Sequence, residues 1–301
     1  MKKDIAITLS VSLAYLLLCR LLIGFKTEQL FLVALFNILY YLSPGTRKFI
    51  TGFSVFILYW IVFDFMKAFP NYRYNTVHIE SLYHAEKYLF GIRQDGQLLT
   101  PNEFWRQHTS PTLDAMSGFF YLCWVPVPLL FAGRLFYKNR EQFLRFALCF
   151  FFVNLIGFVG YYLYPAAPPW YVEHYGFVFN PYTPGNTAGL QRFDDMFGVH
   201  VFQGLYAKSS NVFAAMPSLH ASYLVVVLYY SLRNRMRVMS VFAAIIMLGI
   251  WFSAVYTGHH YVLDVLAGIA CAVIGLWLFP KLILRNGKAR PFFAALLRRI
   301  E

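Results

Sequence analysis

Eight predominantly apolar stretches run through the chain, near positions 5–24, 28–44, 49–66, 113–134, 143–164, 217–232, 238–256 and 260–280. A helix of about 20 such residues crosses the roughly 30 Å hydrocarbon core of a bilayer, so each stretch is a candidate transmembrane helix. Composition leaves little else for them to be. Of 301 residues, 59% are hydrophobic and only 13% are charged, against roughly a quarter charged in an ordinary soluble domain. The expected fold is all-α, a polytopic membrane helix bundle. The second and sixth stretches are short for a full span, and Arg20 lies near enough to the end of the first to snorkel. No small-residue cleavage site follows the first stretch and a second apolar stretch comes at once, which argues against a cleaved signal peptide.

Lysine and arginine total 26 against 14 acids, a formal charge of +12. Taken alone, that excess suggests a nucleic-acid partner. Its placement points elsewhere. Lys2 and Lys3, Arg47 and Lys48, the Arg134, Lys138 and Arg140 group, the Arg233, Arg235 and Arg237 group, and the tail from Lys281 to Arg299 fall in alternate connections. The positive-inside rule makes all of these cytoplasmic, with both termini inside. Two long connections, 67–112 and 165–216, lie on the opposite side and hold half of the acids, including Glu80, Glu86, Asp95, Glu103, Asp194 and Asp195. The charge is therefore a topology signal, with anionic lipid headgroups as a secondary partner and no nucleic acid expected. Cys19, Cys123, Cys149 and Cys271 all sit inside expected spans, where neither disulfides nor a zinc site is anticipated. The stretch from Arg285 to Glu301, with Phe292, Phe293, Leu296 and Leu297 among basic residues, reads either as an interfacial amphipathic segment or as a plain basic tail.

Chemistry concentrates at the outer ends of the last spans, where ionisable groups at membrane depth are costly and tend to be functional. One segment runs Met216-Pro217-Ser218-Leu219-His220, with Pro217 suited to a first helical turn. Another runs Gly258-His259-His260-Tyr261-Val262-Leu263-Asp264. His260 and Asp264 are four apart, which on a helix places them on one face, where the carboxylate accepts a proton from one imidazole nitrogen. The other nitrogen is then an electron-rich nucleophile or base. His220 falls at the same membrane depth. Two histidines and one aspartate suit phosphoryl transfer through a covalent intermediate, with the free N–H groups of both helix starts facing the phosphate. His78, His84, His108, His174 and His200, by contrast, read as single hydrogen-bonded interface residues. A metal site from His220, His259 and His260 has the right ligand types, but adjacent histidines and one aspartate make it the weaker reading, and no metal or cofactor is expected.

Pro217-Ser218-Leu219-His220 and His260-x-x-x-Asp264 resemble the second and third signature motifs of the type 2 phosphatidic acid phosphatase superfamily. That resemblance implies a nucleophilic His260, an orienting Asp264 and a general acid and base in His220. It also implies a six-helix phosphatase-like core preceded by about two extra N-terminal spans. The division is then 1–48 for the extra helices, 49–282 for the catalytic membrane domain, and 283–301 for a basic cytoplasmic tail. Three departures stand out: Leu219 replaces a glycine, Ala254 stands where the third motif has arginine, and the first motif is missing, Lys67 and Arg73 being separated by five residues with no proline following. With Tyr164-Pro165-Ala166-Ala167-Pro168-Pro169-Trp170-Tyr171, Pro184-Gly185-Asn186, Gly189-Leu190-Gln191-Arg192-Phe193-Asp194 and Glu86-Lys87-Tyr88-Leu89-Phe90-Gly91, they look like the inositol phosphorylceramide synthase branch.

That branch implies transfer of a phosphoinositol-type headgroup from a phospholipid donor to a ceramide-like acceptor, via a phosphohistidine. The alternative is a lipid phosphatase of the same superfamily, acting on a phosphatidate or polyprenyl phosphate. A phosphomonoester approaches a dianion at neutral pH and benefits from clustered cations, whereas a phosphodiester carries one charge, so losing the third-motif arginine harms a synthase less. Ser218, His259, Arg192, Lys67 and Arg73 are the candidate substrate contacts. Short cytoplasmic connections point to a bacterial inner-membrane protein whose site faces the periplasm. The two long connections are expected to cap the site, and nothing in the sequence sets an oligomeric state.

Overall fold

A computed structural model describes residues 2–207 and 211–301, so positions 208–210 of the second long connection lie outside the described residues. The chain begins with three apolar helices, α1 (Lys2–Leu22), α2 (Thr27–Leu42) and α3 (Pro44–Phe65). The first long connection then holds α4 (Glu80–Phe90), a hairpin of β1 (Ile92–Gln94) and β2 (Gln97–Leu99), and α5 (Pro101–Gln107). Next come α6 (Pro111–Leu122), α7 (Pro126–Lys138) and α8 (Arg140–Leu163). The second long connection carries the short helices α9 (Pro169–Tyr175), α10 (Gln191–Phe197) and α11 (Val201–Tyr206). The chain ends with α12 (Leu219–Arg233), α13 (Arg237–Tyr256), α14 (Val262–Phe279) and α15 (Arg290–Ile300).

A helix occupies each of the eight apolar stretches, with three departures. Among the described residues, five helical stretches are long and apolar enough to cross a membrane: Asp4–Leu22, Pro44–Ala68, Arg140–Leu163, Arg237–Tyr256 and Val262–Leu284. The stretch read as one span at 113–134 is instead α6 and α7, bent by 40°. Pro126 and Pro128 begin α7, and a proline ring there removes a backbone donor and clashes with the carbonyl one turn back. α2 and α12 have 16 and 15 residues. At 1.5 Å per residue the shorter of these reaches only about 22 Å. The protein is an integral membrane protein of the all-α class.

Packing follows from which helices are apolar all round. α8 buries Phe143, Phe146, Ala147, Phe150, Val153 and Gly157 at the centre of the bundle. Around it Phe131 and Phe136 of α7, Tyr223 and Val227 of α12, and Ala272 and Phe279 of α14 form one continuous core. Several of its rings meet edge to face or tilted, as at Phe131–Phe146 (5.0 Å) and Phe150–Tyr223 (4.7 Å), arrangements that add to area burial. Side-chain caps set several helix starts outside this core: Ser43 accepts from Thr46, Ser110 from Leu113, Asn139 from Gln142, and Thr100 with Glu103 forms a reciprocal capping box. α15 is a docked helix rather than a free tail. Phe293 and Ile300 are buried against the main core while Phe292 stays exposed.

Between the two long connections a narrow parallel arrangement forms. Ala166 bridges His78 on one side and Ala214 on the other. The Tyr164–Tyr171 segment is therefore a buried strut between α8 and the start of α12, with Ala166, Ala167, Trp170 and Tyr171 all buried.

Candidate active site

Pro217 does not enter α12. It precedes the helix by two residues and packs on Gly160 of α8, while Ser218 holds the cap position. The helix then turns His220 inward one residue after Leu219. Leu219 is buried with its methyl groups against Gly157, where any side chain would collide, so α8 supplies the gap that the bulkier residue needs.

His260 likewise stands outside its helix. α13 ends at Tyr256, and Gly258, at φ +74°, takes the left-handed turn that an L side chain resists. The backbone N–H groups of His259 and His260 both donate to the Ala254 carbonyl, at 3.1 and 2.9 Å, which closes the turn. α14 begins at Val262, so the four-residue spacing of His260 and Asp264 is not the shared face of one helix. Asp264 is the third residue of α14, and its Oδ2 accepts from the Tyr261 N–H at 2.9 Å. The same oxygen lies 3.5 Å from His260 Nδ1, with Asp264 fully buried. The reach needed to cap the helix is what brings the carboxylate to the imidazole.

His260 presents its other nitrogen, Nε2, to Nδ1 of His220 at 3.4 Å. The Tyr121 hydroxyl is 3.1 Å from that same His220 nitrogen, and the Trp124 ring meets the His220 ring at 4.6 Å. Burial pushes the His260 imidazole down to about 4, opposed by a hydrogen bond to the Ala215 backbone. A neutral ring at neutral pH results. His259 is sandwiched between Tyr206 at 4.5 Å and Tyr121 at 5.5 Å. Burial, and then the two neighbouring imidazoles, hold its pKa well below the usual histidine value.

Ser218, His259, His220, His260 and Asp264 are thus brought together. The buried Ser218 Oγ, His259 Nε2, His260 Nδ1 and Asp264 Oδ1 have no protein hydrogen-bond partner. The three basic candidates lie elsewhere. Lys67 pairs with Asp64 at 2.6 Å. Arg73 is exposed on the Asn71–Arg73 turn. Arg192 Nε donates to Asp114 at 2.6 Å, with the guanidinium over the Tyr256 ring. Among the described residues no group of three or more His, Cys, Asp or Glu side chains is placed to hold a metal ion.

The expectation of free N–H groups at both helix starts fails at α14, whose donors are already engaged. Glu86 of α4, with no exposed surface, accepts from Val262 N–H through Oε1 at 2.8 Å and from Leu263 N–H through Oε2 at 3.1 Å. Both long connections grip the same turn. Asn102 Nδ2 donates to the carbonyls of Val255 (2.8 Å) and His260 (2.9 Å). Trp170 N–H reaches the Gly258 carbonyl at 3.0 Å, and Gly189 N–H reaches that of Thr257 at 2.8 Å. On the opposite flank, α14 approaches the start of α12 so closely that a Cβ on Gly268 would sit 2.0 Å from the Ser218 carbonyl. Sequence reasoning missed Tyr121, Asn102 and the capping role of Glu86. Glu86 carried the one available signal, an acid in an otherwise amphipathic helix.

A family model described as the PAP2 superfamily matches residues 92–278. The chain is 47% identical over 281 residues to the phosphoinositol dihydroceramide synthase of Bacteroides thetaiotaomicron, covering 92% of each chain. It is 30% identical over 250 residues to the catalytic subunit of inositol phosphorylceramide synthase of Saccharomyces cerevisiae, covering 78% of this chain and 59% of that one. Against the inositol phosphorylceramide synthase of Candida albicans it is 31% identical over 169 residues, or 52% of this chain and 35% of that one. No solved structure matches the chain.

Proposed function

Since the chain belongs to the PAP2 superfamily, we propose that it is a membrane phosphotransferase moving a phosphoinositol-type headgroup from a glycerophospholipid to a ceramide-like acceptor. The observation that carries this reading is the His260 Nε2 to His220 Nδ1 approach of 3.4 Å, with buried Asp264 behind His260. Similarity over 92% of the chain to a phosphoinositol dihydroceramide synthase supports a ceramide-like acceptor.

In the first step neutral His260 attacks phosphorus through Nε2. The bond from phosphorus to the glycerol oxygen breaks as His220 donates its proton to the departing diacylglycerol. The phosphohistidine carries positive charge on its ring, and Asp264 stabilises it at Nδ1; the 3.5 Å separation leaves room for that contact to tighten. In the second step His220, now neutral, takes the proton of the acceptor's primary hydroxyl. The acceptor oxygen attacks phosphorus, the N–P bond breaks, and His220 is again protonated. The unpartnered Ser218 Oγ supports a role for Ser218 as a donor to a phosphoryl oxygen.

A phosphatase of this superfamily is disfavoured by the surroundings of Ala254. This residue is buried beside Tyr121, Leu190 and Phe202, and its methyl group supplies no charge where the phosphatase motif has arginine. Domain limits of 1–48, 49–282 and 283–301, an extracytoplasmic site with both termini cytoplasmic, and a bacterial inner-membrane location complete the proposal. Purified protein given labelled phosphatidylinositol and a short-chain ceramide is expected to form a phosphoinositol-bearing sphingolipid and to trap label on His260, and His260→Ala to abolish both. Release of free headgroup phosphate without a lipid product would overturn the reading.

A further inference from the structure

His260 sits in a turn, the least self-supporting place to hold a nucleophile. Between Tyr256, which ends α13, and Val262, which begins α14, the chain has no helical ladder to fix its peptide groups. Its N–H groups find partners close by in sequence. Those of Gly258, His259 and His260 reach the Val255 and Ala254 carbonyls at 2.9–3.1 Å, and that of Tyr261 reaches Asp264. Its carbonyls at Thr257, Gly258 and His260 are met from the long connections. Thr257 and Gly258 accept from the backbone N–H groups of Gly189 and Trp170, donors that nearly any residue type would supply. His260 is the exception: its carbonyl takes a side chain, Asn102 Nδ2, at 2.9 Å. The same amide nitrogen also donates to the Val255 carbonyl, at 2.8 Å.

Both the place and the residue type suit that task. Asn102 is the second residue of α5, behind Pro101, and the reciprocal capping box of Thr100 and Glu103 fixes that turn of helix. Glu103 also accepts from the Tyr83 hydroxyl of α4 at 2.7 Å. α4 is the helix whose Glu86 caps α14, so the first long connection holds the turn at both ends. Glu86 takes the N–H groups beyond His260, and Asn102 takes the carbonyls up to His260. A primary amide carries two hydrogens on one neutral nitrogen, whereas a hydroxyl has one and a carboxylate none. Its orientation is fixed as well, since exchanging nitrogen and oxygen would set the oxygen against two carbonyls. Oδ1 meanwhile is buried without a protein partner, so the residue serves through its donors.

Resting on the reading of His260 as the nucleophile of headgroup transfer, we propose that Asn102 is a positioning residue, tying the His260 main chain to the end of α13 and so aiming the imidazole at His220. Val255 lies in the last turn of a packed helix and His260 lies outside any helix; one amide couples the two. His260 Nε2 stands 3.4 Å from His220 Nδ1. A misplacement of about 1 Å at a reacting centre costs about a hundredfold in rate. Losing the tie also releases the ring toward water. The titratable groups that face it, Asp264, His220 and His259, stay in place. With less desolvation, the pKa of the ring then rises from about 4 toward the ordinary 6.5.

Asn102→Ala and Asn102→Leu remove both donors without adding charge, the second with little change in volume. Asn71→Ala is the matched control, because Asn71 Nδ2 also donates to two carbonyls, those of Tyr161 (2.8 Å) and Phe213 (2.9 Å), outside the 257–261 turn. Transfer from phosphatidylinositol to a short-chain ceramide is measured across pH in detergent, once thermal unfolding has established which variants fold. Both Asn102 variants are expected to lose about a hundredfold in kcat, with donor and acceptor KM held within about threefold. Their acid limb of kcat is expected to move up from about 4. Asn71→Ala is expected to lower the unfolding temperature and to keep that limb. Folded Asn102 variants with wild-type kcat, a loss carried by KM, or an equal limb shift in Asn71→Ala would overturn the assignment. In parallel, the His260 imidazole is titrated by NMR in histidine-labelled wild type and Asn102→Ala, with His260→Ala assigning its signal. If wild type transfers nothing to ceramide, the headgroup-transfer reading falls and this titration still decides Asn102: a midpoint raised toward 6.5 supports the tie, and an unchanged midpoint overturns it.

Discussion

Glu86 makes a demanding prediction, because it holds the helix that presents Asp264 from a site where a carboxylate is costly. Burial pushes its pKa up from the ordinary 4.5 to about 7, although the Val262 and Leu263 N–H groups pull the other way and Asp264 adds a smaller upward push. A folded-state value above the unfolded one means that the folded protein binds the extra proton between those limits. Stability is therefore fullest below pH 4.5 and falls as pH rises through 7. A shift of this size corresponds to about 3 kcal/mol between the two limits. Glu86→Gln has no charge to desolvate and keeps one carbonyl acceptor, so it is expected to match wild type near pH 5 and to exceed it by up to about 3 kcal/mol near pH 8. Its amide N–H₂ must then face one of the two donors, so the start of α14 loosens and transfer activity drops despite the added stability. Glu86→Ala leaves both N–H groups without a partner, at about 1–3 kcal/mol each. The assay is thermal unfolding of the detergent-solubilised protein from pH 5 to 8, paired with headgroup transfer at each pH. Parallel unfolding profiles for wild type and Glu86→Gln would refute the reasoning, since Glu86 would then ionise as a solvated carboxylate does.

Other consequences follow from the same packing. Gly268→Ala drives a methyl group into the Ser218 carbonyl at the α12–α14 crossing; thermal unfolding is expected to drop by several degrees and transfer to fall with it, since His220 is displaced. Leu219→Gly empties the space beside Gly157 and should cost about 2–5 kcal/mol of stability without creating phosphatase activity, which phosphate release from a phosphatidate substrate would check. The depressed His260 value places its stability contribution above the ordinary histidine pKa of 6.5, to be lost as pH falls through about 4. The acid limb of the transfer rate is expected near the same value, and an acid limb near 6.5 would show a solvated ring. Tyr121→Phe removes the hydroxyl 3.1 Å from His220 Nδ1 and should move the pH profile of kcat while leaving donor KM in place.

The candidate site was only partly legible in the residues. His220, His260 and Asp264 converge as expected, yet for a different reason at Asp264. The spacing argument assumed one continuous helix, whereas the chain uses Asp264 as a capping residue and leaves His260 in the turn. Lys67, Arg73 and Arg192 were chosen for charge alone. Charge does not report partners, and Asp64 and Asp114, which hold two of them, are distant from any motif. Glu86 and the Tyr164–Tyr171 segment each permitted a bland reading as surface helix and rigid turn. Both are buried and bear on the region around the histidines, Glu86 by capping α14 and the strut through Trp170 and Ala166.

The amino-acid sequence alone determined the membrane class and the positions of the long apolar helices, because apolar run length is a local quantity. Tertiary structure decided what those residues meet. The seat of Leu219 on Gly157, the carboxylate under the start of α14 and the ring of Tyr206 on His259 all depend on contacts between segments far apart in the chain. Such contacts are set by packing and desolvation across the whole bundle, and no window of sequence contains them.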